Sequence, residues 1–217
     1  MKKSLMLILG LVALTAGATL TWNSGTLNSV VPDNNTSGWV NSTLISGETG
    51  TIQPGSLLVN VNLSGGWNGD LYAYLVNSSG GFAVLLDRVG MGEGVGSFGY
   101  GDGGMNVTFS ATGANGDIHA YGGNVLFSGI PSGAYMPDTS GLTSASGSLS
   151  SFMNPNGTWS LFIADLNAGG VTTVQSWGLQ MDIVAVPEVE TWIAAALAGA
   201  FGAFWVNRQI WVGTKRN

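Results

Sequence analysis

In five segments of this chain the apolar residues fall on every second position. Leu57, Val59, Val61 and Leu63 share one face of an extended segment. Leu71, Ala73 and Leu75 share one face of the next, with Tyr72, Tyr74 and Val76 opposite. Phe82 to Leu86 makes a third. Trp159, Leu161 and Ile163 make a fourth, and Trp177, Leu179 and Met181 a fifth. Period two, with Gly, Ser and Asn clusters between the runs, marks half-buried antiparallel strands. No interior segment carries a helical stripe. The pattern therefore predicts an all-β fold, an antiparallel jelly-roll β-sandwich of two sheets. The stretch from Gly157 to Ile183 reads as a hairpin with one tryptophan in each strand. Trp159 and Trp177 are expected core anchors, each burying on the order of 200 Å². Trp22, Trp39 and Trp67 lie among Asn, Ser and Gly and are the candidate exposed aromatics.

Two apolar runs do not alternate. Residues 1–18, MKKSLMLILGLVALTAGA, have a basic start, an apolar run from Leu5 to Ala16 and small residues at the end. That pattern is a secretory signal peptide, with cleavage expected after Ala18 and a mature start at Thr19. Near the other end, the apolar run from Trp192 to Val206 follows Pro187, Glu188 and Glu190 and precedes Arg208, Lys215 and Arg216. Apolar residues closed by bases read as a C-terminal transmembrane helix with a positive-inside tail. The expected organisation is a signal peptide (1–18), one sandwich domain (19–185) and a sorting tail (186–217) with a transmembrane segment at 192–206.

Composition narrows the function. Of 217 residues, 8% are charged, 35 are Gly and none is Cys, so thiolate metal sites, disulfides and a cysteine nucleophile are excluded. The net charge is −6, and Arg88 is the only base between Lys3 and Arg208. Such a surface repels phosphate backbones, which excludes nucleic acid as a partner.

The tail resembles the PEP-CTERM sorting signal of Gram-negative bacteria. Val186, Pro187 and Glu188 match its motif, followed by Thr191-Trp192, the Ala/Gly/Leu span and the terminal bases. Val189 stands where that motif has its second proline. The resemblance implies cutting by an exosortase-like processing enzyme near the motif. The chain would be anchored in the inner membrane beforehand and delivered to the cell surface or outside afterwards.

The middle of the chain, from Val30 to Ile183, resembles the P domain of proprotein convertases (P/Homo B domain). The matching phrases are Val31-Pro32-Asp33-Asn34, Gly69-Asp70-Leu71, Leu86 to Gly90, Gly157-Thr158-Trp159-Ser160-Leu161 with Asp165, and Trp177-Gly178-Leu179. A Gly-rich stretch from Gly90 to Gly133 reads as an insertion. The resemblance implies a jelly roll that usually sits beside a subtilisin-like catalytic domain and helps it fold.

Candidate chemistry is sparse. His119 is the sole His, no Gly-x-Ser-x-Gly elbow is present, and no catalytic residue is assigned. Gly94 to Gly99 matches G-x-G-x-x-G without a βαβ unit and reads as a loop. Several Asp residues lie beside turns, where their side chains can cap backbone N–H groups. Calcium is the alternative, with Asp70, Asp87 and Asp165 as candidate ligands. Asp70 and Asp165 are among them because they match positions of the resembled family. The expected function is that of an exported, non-catalytic P-domain-like sandwich in envelope or extracellular-matrix interaction. The alternatives are a carbohydrate-binding module for exopolysaccharide, an accessory domain for a separately encoded subtilisin-like protease, and a hydrolase resting on His119.

Overall fold

A computed structural model describes residues 17–142 and 147–185. The compact unit spans Gly17–Val184. The expected signal peptide up to residue 16, the motif Val186-Pro187-Glu188 and the apolar segment 192–206 lie outside the described residues. The expected cut after Ala18 falls one residue into the first strand.

Among the described residues eleven strands follow in order: β1 (Ala18–Asn23), β2 (Ser29–Val30), β3 (Asn35–Ile45), β4 (Thr51–Ile52), β5 (Leu58–Ser64), β6 (Leu71–Asn77), β7 (Phe82–Asp87), β8 (Gly104–Ser110), β9 (Ser132–Tyr135), β10 (Gly157–Asp165) and β11 (Thr173–Val184). They form two sheets. The larger runs β1-β11-β5-β8-β9, with β2 and β4 also paired to β11; the smaller runs β3-β10-β6-β7. Every pairing is antiparallel except β8 with β9. The architecture is an all-β sandwich, as the alternation predicts, and no α-helix occurs among the described residues.

The core lies where the inward faces meet. Val59, Val61 and Leu63 come from β5, Leu71 and Leu75 from β6, Met105 and Phe109 from β8, and Leu161 and Ile163 from β10. Trp159 is fully buried, stacked on Phe152 with ring centroids 5.1 Å apart, and its indole N–H donates to the Pro155 carbonyl at 2.8 Å. Trp177 is buried from the other sheet, and its N–H donates to Asn41 Oδ1 at 2.8 Å. A buried indole N–H without an acceptor would be costly, and both have one.

Two expectations are corrected. β10 and β11 do not form a hairpin: they belong to different sheets, and the loop between them arches across the end of the sandwich. Each strand has an inward tryptophan, so placing them in facing sheets lets both indoles fill one core. The stretch from Gly90 to Gly133 is not merely an insertion. It contains β8, which lies between β5 and β9 with Met105, Val107 and Phe109 pointing inward.

Candidate functional site

The outer faces of the two sheets differ in chemistry. The larger sheet turns Thr19, Thr21, Asn60, Asn62, Asn106, Thr108 and Gln180 outward, as an antiparallel sheet facing water should. The smaller sheet instead presents an apolar row. Phe162 lies between Val40 of β3 and Tyr74 of β6, and Phe82 closes the row on β7. Tyr74 and Phe162 have centroids 4.7 Å apart and planes within 17°. Rings so close and so nearly parallel each cover one face of the other. Val40 and Leu44 on the edge strand β3 are 59% and 70% exposed. The row contains no charged side chain, and Asp87, in register with Tyr72, is buried.

A second feature sits where β10 ends. Asp165 occupies the next inward position after Trp159, Leu161 and Ile163, opposite Leu71 of β6, and is fully buried. The turn Asn68–Asp70 delivers a second buried carboxylate, Asp70. Asn167 joins them: its side-chain amide donates to Asp70 Oδ1 at 2.7 Å, and its backbone N–H to Asp165 Oδ1 at 3.3 Å. Asp33 accepts the Gly169 N–H on both oxygens, at 3.1 and 3.3 Å. Arg88 approaches Asp70 Oδ1 to 3.9 Å. The remaining oxygens, Asp70 Oδ2 and Asp165 Oδ2, are buried and have no hydrogen-bond partner. Burial first, then repulsion from Asp70 and Asp33, pushes the Asp165 carboxyl up to about 6; burial also raises Asp70.

The three candidate calcium ligands are therefore not one set. Asp70 and Asp165 come together, with Asp33 as the third charge acting on both. Asp87 ends β7 in register with Tyr72, one strand beyond Asp165's partner Leu71 on β6, and its backbone N–H donates to Asp138 Oδ2 at 2.9 Å. Among the described residues no three His, Cys, Asp or Glu side chains form a metal-holding group. Asp165 was singled out in the sequence by its match to the resembled family; its inward position after Trp159, Leu161 and Ile163 is a second signal that the alternation also carries. Other Asp residues cap turns, as the plainer expectation had it. Asp102 accepts Ser128 N–H at 3.0 Å and Gly129 N–H at 2.9 Å, and Asp117 accepts His119 N–H at 2.8 Å.

His119 is not the solvated loop residue its glycine-rich surroundings suggest. It is buried, with Nδ1 2.9 Å from Asp138 Oδ2 and Nε2 3.1 Å from the Met91 carbonyl oxygen. Both ring nitrogens face acceptors. The Asp138 hydrogen bond, against opposing burial, holds the imidazole pKa up to about 9. An imidazolium donating at both nitrogens has no lone pair with which to take a proton from a serine. A cleft of about 310 Å³ beside it is lined by Met91, Glu93, Asp117, Thr139 and Ser140. Of the candidate exposed aromatics, Trp67 is 44% exposed, while Trp22 and Trp39 pack against the core. Trp22 lies edge-on to Trp177, with centroids 4.6 Å apart.

Comparison with protein-family models finds no match, and no curated protein matches. Among solved structures, the chain is similar to the Aeromonas sobria serine protease in its complex with a chaperone. The TM-score is 0.44 and the identity 14%, over 80% of this chain and 28% of that one. Against the serine protease of Aeromonas sobria in a second crystal structure, the TM-score is 0.39 and the identity 12%, over 78% of this chain and 28% of that one. The chain thus spans less than a third of the length of either.

Proposed function

We propose that this chain is an exported, non-catalytic P-domain-like sandwich that docks on a protein partner through the outer face of its smaller sheet. The partner is a separately encoded subtilisin-like protease, for which the chain acts as an accessory domain. The apolar row Val40–Phe162–Tyr74–Phe82 carries this reading, because the opposite sheet shows that this same chain can make a polar outer face. An apolar row without charge, flanked by the hydrogen-bonded hydroxyls of Ser42 and Ser160, fits burial against another protein. Aromatic rings stacked on one another leave less open face for a sugar, which stacks on ring faces. The protease is named because the phrases around Gly69-Asp70-Leu71 and Gly157 to Leu161 resemble P domains. The terminal segments support export, anchoring and exosortase-like processing to the cell surface.

The test places a photo-crosslinking amino acid at Leu44 in the native cells. Crosslinked peptides from a subtilisin-like protease are expected, and Val40→Asp in the same chain should reduce them at least fivefold. Crosslinks to exopolysaccharide alone would overturn the reading and favour a carbohydrate-binding module.

A further inference from the structure

The corner built by Asp70, Asp165 and Asn167 has a chemical shape that the docking face does not explain. Two carboxylates share it, each with one oxygen tied to Asn167 and the other buried without a partner. Asp165 is fully buried and Asp70 is 1% exposed. A buried anionic oxygen without a protein donor is among the costliest groups a fold can hold. Arg88 offsets part of the charge, but from the Oδ1 side of Asp70 only. Counting Asp33, three carboxylates face one guanidinium, which leaves two negative charges among these four groups.

We propose that Asp70 Oδ2 and Asp165 Oδ2 bind one calcium ion, with backbone carbonyls and water of the 165–170 loop completing its shell. Asp33 acts as a second-layer charge that holds the loop through Gly169. Oxygen donors alone exclude a zinc preference, which would call for His or Cys. A loop-built, irregular shell suits calcium better than magnesium, which demands a near-octahedral one. Asp87 is outside this set. The ion would pin the end of β10, the start of β6 and the loop leading to β11, three elements drawn from both sheets.

The experiment melts the full chain after stripping with EGTA, then with added calcium chloride, then with magnesium chloride. Calcium at tenfold its Kd should raise the Tm by about 3–6 °C. Magnesium at the same concentration should raise it by less than a third of that. Asp70→Asn and Asp165→Asn should each abolish the calcium shift. Asp165→Asn should also raise the Tm of the stripped protein, because a neutral amide removes the repulsion. An equal calcium shift in both variants would place the ion elsewhere and overturn the proposal. So would a wild-type chain that binds no calcium in equilibrium dialysis at ~5 mM, above the usual range for extracellular sites; a shared proton would then satisfy the pair. Should either variant fail to fold, Asn167→Ala decides: an unchanged calcium affinity in dialysis overturns the proposal, and a weakening of at least fivefold supports it.

Discussion

Single residues carry three outcomes that can be measured. His119 titrates near 9 in the folded chain and near 6.5 unfolded. A raised folded pKa means that the stabilisation is fully present below about pH 6.5 and fades as pH rises through about 9. Denaturant titrations should therefore show stability falling between pH 7 and 9.5. His119→Ala should flatten that dependence and cost about 3–5 kcal/mol at pH 6, since Asp138 would be left buried without its counter-charge, held only by the N–H groups of Asp87 and Ser140. Trp159→Ala and Trp177→Ala should each cost roughly 3–5 kcal/mol. Trp177→Phe tests a smaller effect: it keeps most of the packing but strands Asn41 Oδ1, at about 1–2 kcal/mol. The tryptophan assignments were legible because both sit in alternating aliphatic runs. The state of His119 was not, because Asp138, the group that charges it, lies nineteen positions away with no local pattern linking them.

Strands were legible in proportion to how cleanly the alternation was written. β5, β6, β10 and β11 place aliphatics or tryptophan inward at every second position, and β7 is apolar from Phe82 to Leu86; all five were visible in advance. β3 was hidden because its pattern is inverted: Val40 and Leu44 point outward, while Asn41 turns inward to accept from Trp177. β8 was masked by the glycines on either side. The β10–β11 connection was misread because alternation gives the period of a strand but not its sheet. β3 also contains a bulge opposite Ile163 and Asp165, where the register slips. Gly38 sits in it at φ 58°, and a Cβ there would lie 2.6 Å from the Ile163 carbonyl oxygen and 2.7 Å from the Phe162 ring. Gly38→Ala should destabilise by about 1–3 kcal/mol through that left-handed conformation and the clash. A melting temperature equal to that of the parent would show that the bulge relaxes freely.

At the scale of the molecule, the two outer faces make a separate prediction. Val40→Ser with Leu44→Ser should leave the Tm within about 2 °C, since both side chains are already exposed. The double variant should also stay monomeric at concentrations where the parent self-associates, as sedimentation would show. A parent that is monomeric throughout would mean that the apolar row is too small to attract a partner on its own. The central domain was set apart in the sequence because the flanking apolar runs without alternation stand out from the β pattern; the address segments expected there lie outside the described residues. The acidic corner at the end of the sandwich was only half legible: Asp70 and Asp165 were singled out, but the turn at Asn167 that joins them was not.

The connectivity of the larger sheet also sets an order of events. β11 is the partner of β1, β2, β4 and β5, so the last strand of the domain holds four earlier ones in place. A chain emerging from its N-terminus, from a ribosome or a translocation pore, has no template for β1 until residue 183 has appeared. Nearly all of its pairing partners are distant in sequence, which makes for a high contact order and folding in milliseconds to seconds. A chain cut before Thr173 would lack the strand on which the others assemble. Premature assembly during synthesis is thereby discouraged, and the nascent larger sheet stays open until its final strand arrives.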